Sequence, residues 1–359
     1  MSFPKTASVR VYKYNDKLPD NYRDIFIKGV IEDENDPSYA EIESFGGWCN
    51  TDDVANKSTV VNYIGENFEV GYVRFTRTVP GKALKYAVDK AVKRECEAGN
   101  KVSRARKREL KEMYKMRMLR EVPVQPTVTR VIVSPASSEV VVFSSSNSIL
   151  DEIVSMFHKC FGISLFQETI VDYITGDDMV DVEGLGENYL TWLWYVSETD
   201  SFNQFSSAID SDLSYTISPD SRVVVGNADI GRCSVSGDIR EAKNGVFNGK
   251  GVTQFSFVLY PSRGEESSHT PIPCVVNSGA LIDKISFKGL PLNGGSDELQ
   301  SEADSLMCLD AVENVRDFLR SSFSKFWEEF SNDKVWQAKK REIWTWARGD
   351  VCIRAFEGV

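Results

Sequence analysis

Two sets of side chains in this sequence have the types and spacing to do chemistry. The first is cationic. Lys101, Arg104, Arg106, Lys107, Arg108, Lys111, Lys115, Arg117 and Arg120 all fall in one short stretch. A helix turns about 100° per residue, which places Arg108, Lys111 and Lys115 within about 40° of Arg104. Arg106, Arg117 and Arg120 are expected to broaden the charge around the margin of that face. Leu110, Met113 and Tyr114 fall on a separate side that can pack. Glu109 and Glu112 are too few to neutralise so many cations. Guanidinium and ammonium groups grouped in this way suit phosphate oxygens. Their mixture shows no base-reading pattern, so backbone contact without sequence preference is the expected chemistry.

The second set is acidic: Asp177, Asp178, Asp181 and Glu183. Clustered carboxylates hold metal ions that activate water in nucleases. Here they share one glycine-flanked stretch with no Lys or His nearby, and a plain acidic loop is expected. Of the two histidines, His158 lies two residues before Cys160 in a helical stretch. It is expected to be structural and not half of a Cys-His pair; His269 stands apart. No Walker A motif occurs, and Gly184-Leu-Gly186 lacks the strand-to-helix setting and third glycine of a dinucleotide loop. No catalytic residue, metal site or cofactor is expected.

The background charge sharpens the first set. The chain of 359 residues has a formal net charge of −11. Between Lys82 and Arg120 stand 14 Lys/Arg and 5 Asp/Glu, a net of +9. Taking +9 from −11 leaves −20 for the rest of the chain. A basic island of this kind focuses a positive field that attracts polyanions even on an acidic protein. Hydrophobic content is 42% and charged content 26%, so a sizeable core can form. The amino-terminal MSFPKTASVRVYKYNDK carries no apolar signal-peptide core, and no apolar run is long enough to span a bilayer. The seven cysteines are scattered without a C-x-x-C pair, as expected of reduced thiols in a cytoplasm.

The elements that must position the cations follow from pattern. Thr78-Val-Pro80-Gly opens a helix whose Leu84, Ala87, Val88, Ala91 and Val92 recur at helical spacing, and Gly99-Asn100 stops it. A second helix runs from a Ser103 cap to about Leu119, before Pro123 and Pro126. Residues 79–126 are thus a basic helical arm. Residues 1–78 and 127–196 form a central α+β region. Within it, ASVRVYKY and Glu69–Arg77 read as strands, Phe45-Gly46-Gly47-Trp48 as a turn, and 127–166 as ββαβ. The aromatic stretch Tyr189–Tyr195 is expected in the core. Residues 197–290 are β-rich. Residues 291–359 are helical: Leu309, Val312, Val315, Leu319, Phe323, Phe326 and Phe330 make an amphipathic stripe, and a last helix carries Trp336, Trp344 and Trp346. The fold class is α+β, with mixed or antiparallel sheets, packed helices and a projecting helical hairpin.

Several stretches resemble the bacterial RdgC family of recombination-associated DNA-binding proteins. They are Glu43-Ser-Phe-Gly-Gly-Trp48, Thr78-Val-Pro-Gly-Lys-Ala-Leu-Lys85, and Gly99-Asn-Lys-Val-Ser-Arg-Ala-Arg-Lys-Arg-Glu-Leu-Lys-Glu112, together with the ββαβ pattern and Tyr189-Leu-Thr-Trp-Leu-Trp194. The resemblance spans about residues 1–200 and is fainter over 220–350. It implies a horseshoe-like protomer of a ring-shaped homodimer that encircles double-stranded DNA, nucleoid-associated in the cytoplasm. It implies competition with RecA-type strand exchange and no metal, cofactor or catalysis. Where family members often carry L-P-R-A-F after the basic helix, this chain reads Leu119-Arg-Glu-Val-Pro123, which leaves the aromatic contact between subunits without its residue. Two rival functions stand beside DNA binding. One is a metal-dependent nuclease using the carboxylates of 177–183. The other is a module that docks an acidic protein partner on the arm.

Overall fold

The computed structural model describes residues 6–167, 184–199, 204–226, 233–236, 239–264, 270–278, 285–288 and 298–352. In chain order its elements are β1 (Thr6–Lys13), α1 (Tyr22–Lys28), β2 (Ser44–Cys49), β3 (Asn62–Ile64), β4 (Asn67–Thr76), α2 (Gly81–Glu97), α3 (Arg104–Leu119), β5 (Gln125–Ser134), β6 (Glu139–Val142), α4 (Asn147–Phe161), α5 (Leu185–Thr199), β7 (Gln204–Ser206), β8 (Leu213–Gly226), β9 (Cys233–Ser236), α6 (Ile239–Phe247), β10 (Gly251–Arg263), β11 (Ile272–Asn277), β12 (Ile285–Lys288), α7 (Glu298–Phe330) and α8 (Asp333–Cys352). The fold is α+β, and the described strands pair antiparallel throughout. The chain divides into two compact units: Tyr14–Val142 with Ser146–Leu165, and Met1–Lys13 with Phe143–Ser145 and Phe166–Val359.

The first unit is built on the strand order β2-β4-β5-β6, with β3 also on β4. Val131, Ile132 and Val133 are buried in succession, because both faces of the sheet are covered and no solvent side imposes alternation. On one face the buried Phe26 ring of α1 packs edge-on against Trp48 at 5.0 Å and against Phe161 of α4 at 4.8 Å. A second core gathers Cys49, Val73 and Phe75 with Ile31, Phe45 and Val128. Burying each such side chain contributes roughly 1.5–3 kcal/mol.

Residues 45–48 are a strand and not the expected turn. The glycines serve close approach. A Cβ on Gly46 would meet the Tyr72 hydroxyl at 2.5 Å, and one on Gly47 would meet the Gly29 carbonyl oxygen at 2.6 Å. The ββαβ expectation holds for β5, β6 and α4, but its last strand is a single bridge from Phe166 to Lys13. α4 ends on Gly162 at φ +70°, whose N–H donates to the His158 carbonyl at 2.7 Å.

The second unit carries the order β1-β12-β11-β10-β8-β7, with β9 on β8. Tyr189–Tyr195 lies in α5, a helix. Tyr189, Trp192 and Trp194 are all buried, so their place in the core is as expected. A helix buried on every side shows no polar stripe, and its sequence then mimics a buried strand. α5 is anchored by a Tyr189–Ser322 hydroxyl pair at 2.7 Å and by Trp192 Nε1, which donates to Glu329 at 3.0 Å. The Leu309–Phe326 stripe of α7 is core: Phe318 packs on Phe205, Tyr215 and Phe257. α6 interrupts the β-rich region where no helix was expected. No helix among the described residues is long and apolar enough to cross a membrane.

Candidate nucleic-acid interface

The basic arm is a helical hairpin within the first unit. Pro80 caps α2 in extended backbone. Gly99 leaves the helix at φ +84°, a left-handed conformation that suits glycine. Ser103 caps α3 by accepting from the Arg106 N–H at 3.1 Å, a bond whose loss typically costs ~1 kcal/mol. The two helices close over a small core of Leu84, Val88, Ala91 and Leu110, flanked by Val79, Val92, Tyr114 and Met118. With their apolar sides facing each other, both helices must turn their cations outward.

Arg104, Lys107, Arg108 and Lys111 come together along one groove, joined by Lys85 from α2. The groove encloses about 640 Å³ over a floor of Leu84 and Val88. Lys85 was missed from the sequence. Its signal was available, since it follows Leu84 on the turn of α2 that packs toward α3.

Acids on α2 and just before β2 neutralise part of the arm as well. Arg106 Nη2 lies 2.9 Å from Glu95, and its Nη1 lies 2.9 Å from Glu109. Lys107 lies 3.4 Å from Asp89. Lys115 pairs with Glu43, and Arg120 with Glu41. Hydrogen bonds that Arg106 donates to Glu95 and then to Glu109 hold its guanidinium above its ordinary value. The hydrogen bond to Glu43 does the same to the Lys115 ammonium, against desolvation. Arg106 also lies at about 200° from Arg104 by helical arithmetic, so it does not widen the Arg104 face. The Glu41 and Glu43 pairs instead tether the end of α3 to the start of β2.

Five of the expected cations remain exposed without an acidic partner among the described residues: Lys101, Arg104, Arg108, Lys111 and Arg117. Lys82, Lys85, Lys90 and Arg94 of α2 share that condition. Like charges left unbalanced this close together weaken a helix by a few tenths of a kcal/mol per neighbouring pair, on the order of 0.2–0.5. An external polyanion relieves that repulsion.

Residues 10–172 match the family model described as "Putative exonuclease, RdgC". This stretch takes in the arm and the whole of the first unit.

Residues 10–172 belong to the RdgC family.

Membership marks the chain as a recombination-associated protein. No curated protein matches the chain. The family match stops at residue 172, short of the Tyr189–Trp194 stretch that also resembled the family. The carboxylates Asp177, Asp178, Asp181 and Glu183, and His269, lie outside the described residues. His158 sits near the end of α4, where its Nδ1 lies 3.4 Å from the Ser164 hydroxyl. Cys49, Cys96, Cys160, Cys274 and Cys308 form no disulfide among the described residues, and burial pushes the Cys49 thiol up to about 12.

Proposed function

We propose that the arm binds the backbone of double-stranded DNA without sequence preference, as part of a ring-like homodimer that limits RecA-type strand exchange by occupying DNA. The observation that carries the first part is the row of exposed cations on α2 and α3 left without acidic partners among the described residues, on a chain of net −11. Arg104, Arg108 and Lys111 are its centre. The horseshoe-like protomer, the ring, the nucleoid association and the antagonism of strand exchange rest on family resemblance. Binding by occupancy needs no metal, cofactor or catalytic residue.

Affinity should fall by about 0.9 log unit per log unit of salt for each phosphate neutralised. Charge reversal of Arg104, Arg108 and Lys111 together should weaken binding to all duplex sequences alike. Unchanged affinity after that triple reversal sinks the assignment. Sedimentation of the protein with and without duplex tests the dimer, and a monomer in both states removes the ring.

A second reading has the family description on its side: a nuclease whose carboxylates are Asp177, Asp178, Asp181 and Glu183. Incubation of plasmid DNA with Mg²⁺ or Mn²⁺ separates the two readings. Cleavage that Asp178→Ala abolishes favours the nuclease. An acidic protein partner on the arm would instead survive competition by excess nonspecific duplex.

A further inference from the structure

The second unit holds an aromatic cleft that DNA binding by the arm does not use. It lies at the elbow where α7 ends and α8 begins, and encloses about 440 Å³. Trp327, Phe330 and Trp336 form its wall. Trp327 and Phe330 lie nearly parallel, with ring centroids 5.8 Å apart and planes 28° off. Phe330 meets Trp336 edge-on at 5.1 Å. Trp336 is buried against α7, whereas Trp327 and Phe330 are only partly covered. Four polar side chains stand around this wall: Asn188, Asp333, Gln337 and Lys340. None has a side-chain hydrogen bond or ion partner among the described residues. The Lys340 ammonium rests 5.7 Å from the Trp336 ring centroid.

The cleft opens onto a cationic helix face. Taking Lys340 as origin, Trp344, Gln337, Arg348, Arg341 and Lys334 fall within about 120° on one side at 100° per residue. All six are exposed. Lys334, Lys340, Arg341 and Arg348 have no acidic partner among the described residues, whereas the nearby Lys339 is held by Glu329 and Glu342. Flat aromatic walls, free amide and carboxylate groups and an adjacent ammonium meet three separate needs. The rings stack on a planar heterocycle. The amides and the carboxylate match the donors and acceptors on its edge. The ammonium takes the neighbouring phosphate. Base–aromatic stacking combined with a cationic track is how single strands are held. A duplex keeps its bases inside the stack and does not meet these needs.

We propose that the α7–α8 elbow binds an unpaired nucleobase and its phosphate, with the α8 cations carrying the strand onward. The site is separate from the arm. It takes a base exposed on single-stranded nucleic acid, and the same chemistry admits a free nucleotide.

The test is quenching of tryptophan fluorescence in the full-length chain. The probes are a thymidine oligonucleotide of about ten residues, within the usual footprint of a single-strand site, and thymidine monophosphate. Both should quench the wild type if the pocket serves free nucleotides as well, and quenching by the oligonucleotide alone identifies the strand as the ligand. Either result supports the site provided the variants below respond. Trp327→Leu should weaken oligonucleotide binding roughly 5- to 100-fold, the usual range for one lost stacking partner. Gln337→Ala with Lys340→Glu alters only exposed side chains and so leaves the core intact; it should weaken the same probe roughly tenfold or more. Duplex affinity should be unchanged in both variants. The quench should persist in a protein whose arm carries Arg104→Gln, Arg108→Gln and Lys111→Gln. Single-strand affinity unaffected by both elbow variants overturns the proposal, and so does a parallel loss of duplex binding.

Discussion

The division of the arm into free and neutralised cations gives a sharp test of how it holds DNA. Consider two proteins that each lose three positive charges. In one, Arg104, Arg108 and Lys111 become Gln; all three are exposed and lack an acidic partner among the described residues. In the other, Arg106, Lys107 and Arg120 become Gln; each of these is already paired, with Glu95 and Glu109, with Asp89, and with Glu41. A cation balanced by its own carboxylate releases few counterions from DNA. A free one releases about 0.9 per phosphate contacted. The first variant should therefore lose about 2.7 from the slope of log affinity against log salt, and the second less than about 1. At 0.1 M salt a loss of about 2.7 is roughly a 500-fold drop in affinity, or ~3.7 kcal/mol. Fluorescence anisotropy with a labelled duplex, read between about 0.05 and 0.3 M salt, measures both slopes. Both proteins have the same net charge, so a general field effect shifts them equally. Equal loss of slope in the two variants would refute the reasoning.

Other perturbations test the scaffold under the arm. Gly47→Ala drives a methyl toward the Gly29 carbonyl oxygen, 2.6 Å from the new Cβ. It should destabilise the first unit by about 1–3 kcal/mol in urea denaturation; a neutral result would show that β2 can shift away. Glu69→Gln removes the buried one of the two carboxylates paired with the buried Arg130 guanidinium, Glu69 at 3.1 Å, and keeps the half-exposed Asp52 at 3.3 Å. A cost of ~3–5 kcal/mol is expected, visible as a lower urea midpoint. Burial raises the Cys49 thiol from 9.0 to about 12. The folded chain thus keeps a proton that the unfolded chain releases, so this contribution is intact below pH 9.0 and is lost as pH rises toward about 12. Cys49→Ala should flatten that alkaline decline, and denaturation at pH 8 and pH 10.5 compares the slopes. An unchanged decline would assign it to other groups.

The helices of the arm were legible in the sequence because everything that makes them is local. Leu84, Val88 and Ala91 recur at helical spacing, Gly99 stops one helix and Ser103 starts the next, and the structure places both boundaries where those residues put them. The concentration of charge was equally plain, since net charge is a property of composition. Other features depended on what lies across space. Gly46 and Gly47 read as a turn until Tyr72 and Gly29 were seen to press against their backbones. Tyr189–Tyr195 read only as core, because a helix enclosed on every side carries no polar stripe to tell it from a buried strand. The same limit applied to the cations. Helical angles grouped Arg104, Arg108, Lys111 and Lys115 correctly by direction, but direction does not tell which charges are free. Lys115 is satisfied by Glu43, Arg120 by Glu41 and Lys107 by Asp89, acids brought near by strand pairing and helix packing. The sequence by itself determined that this protein carries a concentrated basic hairpin on an acidic chain. Only the tertiary structure decided which of those charges remain available, because a Coulomb pair depends on distance in space and not on separation along the chain.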